Sequence, residues 1–313
     1  MSFTIIDVTP DTDEWLDERR RSVGASEVAA VLGMSAYGQT PLDVYKAKMG
    51  ADSGFDPVLG FIGHASEPIM HEWVERFSGL GVTLSPGFMA RSVEHPYLHA
   101  TFDRVASDGT KVQMKTAHQY AGHHWDEGVP TDIRVQVQAE LAVSGDAREL
   151  VVVWIGGREF RYYWEPRDDR FIQEHLLPGV RAFWNAHVAL GVPPQPSTVA
   201  EIAEQWPTGA EPMEVTDELM ERIEQRAFLL ATAKEAEEDA EKIKVTLGQF
   251  MVQNEVDTFT RAGRTVLTFK KQSGRSSLDV GALRRDHPDL VDGYTTQGAP
   301  FMVMRTYKPK EKK

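Results

Sequence analysis

A helix, three strands, a helix and two strands follow one another between residues 61 and 164, and this order limits the fold more than any other feature of the chain. The stretch FIGHASEPIMHEWVERFSG places Ile69, Trp73, Val74 and Phe77 at helical spacing, which buries one stripe and leaves Glu67 on the turn before it. Strands are expected at Leu84–Val93, Tyr97–Ala106 and Lys111–Lys115, the last two separated by a turn at Asp108-Gly109. A helix from about Asp132 to Ser144 lies between Pro130 and Gly145, and strands at Leu150–Ile155 and Glu159–Trp164 are joined at Gly156-Gly157. The order predicts an α/β fold, a mixed central β-sheet flanked by helices.

Three short helices precede this block. The first runs from Asp13 to about Arg21, the second is GASEVAAVLG with Ser26 as N-cap and Gly33 as its stop, and the third starts at Thr40-Pro41-Leu42-Asp43. A further helix, Asp168–Leu190, closes the core. The segment GVPPQPSTVAEIAEQWPTGAEP is rich in proline and reads as a connector. Three parts follow: a core over 1–192, a connector over 193–212 and an extension over 213–313. The extension holds a long amphipathic helix, Val215–Met251, a hairpin of Thr258–Arg261 and Thr265–Lys271 through Ala262-Gly263, a short helix near Val280–Arg285 and a last strand at Phe301–Thr306.

With 41% apolar residues, seven Trp and 14 Phe, the 313-residue chain can build a sizeable core. No run approaches the ~20 apolar residues of a membrane helix, and MSFTIIDVTP lacks the basic and apolar regions of a signal peptide. A soluble, unexported protein is expected. The absence of cysteine excludes disulfides, thiolate nucleophiles and Cys-ligated metals, leaving carboxylate, His, Ser and Lys chemistry and hard, oxygen-liganded ions. A formal charge of −13 argues against nucleic acid on average, but acids concentrate in Ala200–Asp257, while Arg19-Arg20-Arg21 and the closing KPKEKK are locally basic.

The candidate site is D-x9-Q-x-K, Asp103 to Lys115. Gln113 and Lys115, two apart on a strand, share one face, and the turn returns them toward Asp103. A carboxylate at 113 would let that position and Asp103 hold Mg²⁺ while Lys115 neutralises a scissile phosphate. By itself the pattern is weak, because acids and lysines alternate on many solvated strands. His95 and His99 are spaced like a zinc pair, but Pro96 and the strand context spoil that geometry. His123-His124-Trp125 reads as a packed loop.

Four blocks occur in order: W-x3-R-x6-S at Trp15, Arg19 and Ser26; G-x3-E-P at Gly63 to Pro68; D-x9-Q-x-K; and QVQAELAVSG at Gln136 to Gly145. Over about residues 13 to 190 the chain resembles the lambda-exonuclease or YqaJ-like viral recombinase family, a branch of the PD-(D/E)XK nucleases. The resemblance implies a two-metal site for Mg²⁺, which Mn²⁺ can replace, with Asp103 and position 113 as ligands, the Met114 carbonyl as another, and Glu67 nearby through water. It implies that Lys115 is the active-site lysine and Gln136 its helix-borne support, and that Arg19, Ser26 and Thr101 hold a 5′-phosphate.

The implied activity is a Mg²⁺-dependent 5′-to-3′ exonuclease on linear double-stranded DNA, leaving 3′ single strands for a phage single-strand annealing protein. A ring-shaped homo-oligomer, a trimer as the first expectation, in the cytoplasm of a bacterial host goes with it. Gln113 departs from the family pattern: an amide in place of the carboxylate predicts impaired catalysis with DNA binding retained, as in a Glu→Gln form made to hold intact substrate. The alternatives are a catalytically inactive DNA-end-binding protein, a Cas4-like or repair nuclease, which the missing cysteines disfavour, and a protein-interaction scaffold working through Val215–Met251.

Overall fold

Two stretches that read as single strands are each broken in the middle, and the two breaks lie side by side. Leu84–Val93 divides into β3 (Leu84–Pro86) and β4 (Met89–Ser92), and Tyr97–Ala106 into β5 (Leu98–Thr101) and β6 (Arg104–Ala106). At the break the Gly87 N–H donates to the Asp103 carbonyl at 3.1 Å. A Cβ on Gly87 would sit 1.6 Å from the carbonyl oxygen of Phe102, so the crossing requires glycine. Beyond it the halves enter different sheets. With β1 (Phe3–Ile6) and β2 (Val23–Gly24), one sheet has the order β1-β4-β5-β2; with β7 (Lys111–Ala117), β8 (Arg148–Ile155) and β9 (Glu159–Pro166), the other has the order β3-β6-β7-β8-β9.

The computed structural model describes residues 3–10, 12–51, 57–205, 212–274, 276–296, 298 and 303–305. It divides into two compact units, Met1–Ile202 and Ala203–Lys313. In the first unit β7 and β8 are parallel, Gln113 opposite Val151 and Lys115 opposite Val153, so the chain must cross over between them. The crossover helix α5 (Thr131–Ser144) ends at Gly145, whose φ of 80° gives a left-handed cap. Its Val135, Ala139, Ala142 and Val143 pack with Leu98, Ala100 and Phe102, while Val137 and Leu141 pack on Val151, Val153 and Ile155 of β8. Buried on both sides, this helix brings its polar residues into the interior.

The helices before the sheets are α1 (Asp13–Arg20), α2 (Val28–Val31), α3 (Pro41–Lys48) and α4 (Pro57–Arg76). Two expectations change here. Ser26 is not the N-cap of its helix: Glu27 reaches back to the Gly24 N–H at 2.7 Å, which starts a 3-10 turn over Ala25–Glu27 two residues earlier and leaves Ser26 exposed within it. Glu67 is not on a preceding turn, because the helix begins at Pro57 and carries Glu67 in its middle. The closing helix, α6 (169–188), contains two wider turns, Ile172–Leu176 and Trp184–Val188. Within the Pro-rich segment α7 (Val199–Glu204) is ordered, its Glu201 accepting from Thr40 and from the Ser197 and Thr198 amides.

The second unit contains α8 (Asp217–Gln253), capped by Thr216, and an antiparallel hairpin of β10 (Thr258–Arg261) and β11 (Arg264–Thr268). Ala262 at φ 51° and Gly263 at φ 75° make its left-handed turn. Two short helices follow, α9 (Val280–Asp286) and α10 (Pro288–Tyr294), the second unforeseen. Of the strand expected at Phe301–Thr306, residues 303–305 are not in strand conformation and the remainder lies outside the described residues, as does KPKEKK. Among the described residues no helix is long and apolar enough to cross a membrane.

Candidate active site

The break between β5 and β6 projects Asp103 toward β7, where it meets the residues that the hairpin returns. One oxygen of its carboxylate, Oδ2, accepts from the Gln113 side-chain Nε2 at 2.7 Å and from the Met114 backbone N–H at 2.7 Å. Lys115 donates to Gln136 Oε1 at 2.9 Å, and Gln136 Nε2 donates to Gln113 Oε1 at 3.2 Å and to Glu140 Oε1 at 2.8 Å. Period-two alternation puts 113 and 115 on one face of β7, and α5 lays Gln136 over that face. Glu67 comes from α4 and pairs with Arg104 at 2.8 Å, and the same Arg104 nitrogen donates to the Asp103 carbonyl. Glu67, Asp103, Gln113, Lys115 and Gln136 therefore share one connected network, with Met114 joined through its N–H.

The enclosed Asp103 carboxyl is pushed up to about 6: burial raises it, Lys115 and the Met114 N–H hold it down, and Glu67 raises it again. Deeper in, Glu140 is pushed up to about 7 by burial, although Gln136 hydrogen-bonds to it, and Glu149 is raised well above its ordinary range by burial and by Glu140. Both glutamates are wholly buried. Sequence reading missed this pair and Arg104, although the spacing of Glu140 four residues after Gln136 put them on one helix face.

A second group forms around the 3-10 turn. Arg19 stacks on Trp15, 4.6 Å from the ring centre, and Ser26 stands exposed in the turn. The parallel pairing of β2 and β5 sets Gly24 opposite His99; beyond it the first segment enters the 3-10 turn that holds Ser26, and β5 continues to Thr101. Thr101 is two residues from Asp103, roughly 7 Å along an extended chain. Thus β5 leads from the turn to the carboxylate. The other candidates fall outside both groups: His99 is buried and bonded to Ser22, His95 meets Tyr97, and Trp125 is core. Gln138 bonds the Pro166 carbonyl and the Asp168 N–H, a tie between α5 and the start of α6.

The donor set sets what ions this pocket can take. Among the described residues no group of three or more His, Asp or Glu side chains gathers at metal-holding distance. Asp103 is met by an amide N–H where a cation would sit, and Glu67 is met by Arg104. The side chains present do not fit a pair of divalent ions. Replacing the Gln113 amide with a carboxylate would turn a donor into an acceptor beside Asp103, a concentration of negative charge that a cation would neutralise.

Comparison with known proteins adds the family context. Residues 14–147 match the YqaJ-like viral recombinase domain, a span that includes Glu67, Asp103, Gln113, Lys115 and Gln136 and the group around Arg19, but not Glu149. The chain is 30% identical over 188 residues to the uncharacterized protein YqaJ of Bacillus subtilis (strain 168), covering 58% of this chain and 58% of that protein, so it spans less than two thirds of that relative. The crystal structure of LHK-Exo, an alkaline exonuclease from Laribacter hongkongensis, in complex with dAMP superposes with a TM-score of 0.50 at 20% identity, over 58% of this chain and 94% of that one. That likeness speaks for the fold.

Proposed function

We propose that this chain, whose residues 14–147 match the YqaJ-like viral recombinase domain, works on the ends of linear double-stranded DNA as a 5′-to-3′ exonuclease whose cleavage step Gln113 suppresses. The observation that carries the reading is the contact of the Gln113 amide nitrogen with Asp103. An arrangement that needs Mg²⁺ between two carboxylates is here closed by a hydrogen bond. The phosphate-binding part keeps its groups: an arginine backed by an aromatic ring, an exposed serine, and a strand leading onward to Asp103. The 5′-phosphorylated end would sit against Arg19, Ser26 and Thr101, and the next phosphodiester beside Asp103 and Lys115. Lys115, held by Gln136, would neutralise charge there. With Glu at position 113 the pocket would take Mg²⁺ or Mn²⁺, which supplies an activated water. The 3′ single-stranded product, a phage annealing protein as its recipient, a ring-shaped trimer and a bacterial cytoplasmic setting belong to the same proposal.

A second reading is a binder of DNA ends that does not cut. It is favoured by the completeness of the amide network, in which Gln113 uses its oxygen toward Gln136 and its nitrogen toward Asp103. The two readings separate on one experiment. Linear duplex with a 5′-phosphate is incubated with Mg²⁺ and either the parent chain or Gln113→Glu. We expect the parent to bind ends and cut slowly, and Gln113→Glu to degrade the strand from its 5′ end. Equal rates would remove the first reading, and binding without cutting by Gln113→Glu would establish the second.

A further inference from the structure

Lys48 is the last residue of α3, and its side chain is 2% exposed, an unusual place for an ammonium. Its Nζ donates to the Arg19 carbonyl at 2.8 Å and lies 2.5 Å from Glu27 Oε2. The same Glu27 oxygen accepts the Gly24 N–H at 2.7 Å, and the other, Oε1, stands 4.0 Å from Arg19 Nη2. Glu27 thus has two cations within reach and sits close only to Lys48. Burial pulls the Lys48 ammonium below its ordinary value, and the Coulomb attraction and hydrogen bond of Glu27 work in the opposite direction.

The charges around the turn can be counted. Arg91 is committed to Glu18 at 2.6 Å, which leaves Arg19, Lys48 and Glu27, one excess positive charge. Without Lys48 the excess vanishes. Among the described residues Glu27 would then keep Arg19 as its cationic partner, and a side-chain rotation would close 4.0 Å to a direct salt bridge. A hydrophobic residue at position 48 would often serve stability as well as a buried ion pair. The ammonium therefore calls for another explanation.

We propose that Lys48 is a positioning residue for recognition of the DNA end: by holding Glu27 it keeps the Arg19 guanidinium uncommitted and available to a 5′-terminal phosphate. This rests on the reading that Arg19 and Ser26 receive that phosphate. Lys48 itself, being buried, touches no DNA. The carboxylate of Glu27 acts as a built-in competitor for Arg19, and Lys48 disarms it.

The test compares binding of duplexes with a 5′-phosphate and a 5′-hydroxyl, without divalent metal, by four chains: parent, Lys48→Met, Glu27→Gln and the double variant, each checked for its thermal transition. The expected preference of the parent for phosphate, about tenfold or more, is lost in Lys48→Met and returns in the double variant, because the competitor is gone. Glu27→Gln alone keeps it. The double variant leaves no unpaired buried charge, so it remains informative if Lys48→Met does not fold. Preference retained by a folded Lys48→Met, lost in Glu27→Gln, or not restored in the double variant overturns the proposal. A parent without any preference overturns instead the phosphate-binding reading on which it rests.

Discussion

Glu140 and Glu149 are wholly buried neighbours in the interior, and both Glu149 oxygens and Glu140 Oε2 lack a hydrogen-bond partner among the described residues. Enclosed together without a counter-charge, two neighbouring carboxyls oppose each other's ionisation, so the pair holds a proton. It stands directly behind Gln136, which makes the candidate site's support dependent on a protonated acid.

Stability should therefore fall as pH rises. For Glu140, raised to about 7, for Glu149, raised well above its ordinary range, and for Asp103, raised to about 6, the contribution is fully present below the unfolded-state values near 4 and is lost as pH climbs through the folded ones. Glu149→Gln gives Glu140 an amide donor and needs no proton. Urea denaturation is expected to show little change at pH 5 and a gain of at least about 1 kcal/mol at pH 8. The same pH slope in both chains would mean the pair does not hold the proton.

Gln136 connects Lys115 to Gln113 and Glu140. In a Gln113→Glu background, Gln136→Leu should reduce cleavage roughly 10- to 100-fold, the usual cost of removing a group that orients a reacting one, with end affinity unchanged. Single-turnover rates and binding isotherms check this, and a loss of affinity alone would contradict it.

Arg104 ties Glu67 to the Asp103 carbonyl. Removing its charge leaves the pocket more negative, so Arg104→Met combined with Gln113→Glu should bind Mn²⁺ more tightly than Gln113→Glu alone, read by calorimetry. Weaker binding would place Arg104 among the groups that assemble the ion site rather than those that oppose it.

Gly87→Ala tests the crossing of the two sheets. A methyl there would overlap the Phe102 carbonyl, and the strand would have to move away from the Asp103 segment. We expect a loss of about 3 kcal/mol or more in urea unfolding, a severe overpacking effect. A near-neutral substitution would show that the break is free to shift.

Much of the architecture is readable without coordinates where the signals are local. Gly145 ends α5, Thr40 and Asp43 cap α3, and Ala262-Gly263 turns the second hairpin, each a matter of backbone conformation within a few residues. The sequence reading takes Leu84–Val93 and Tyr97–Ala106 as unbroken, although Pro86-Gly87 inside the first is itself a breaker signal. The break at Gly87 arises from its contact with Phe102 and Asp103, fifteen and sixteen positions later. Ser26 is no cap for a different, local reason: Glu27 reaches back to the Gly24 N–H and starts the turn before Ser26.

From its sequence alone the chain determines the order of its elements and the side chains that β7 and α5 carry at periods of two and 3.6, because those depend on neighbours in the chain. The tertiary structure decides which of these side chains lose water and what they then face. It turns Gln113 into a donor to Asp103, pairs Glu140 with Glu149, and sets Lys48 between Arg19 and Glu27. Charge and hydrogen bonding gain their force from burial, and burial is settled only when distant segments pack.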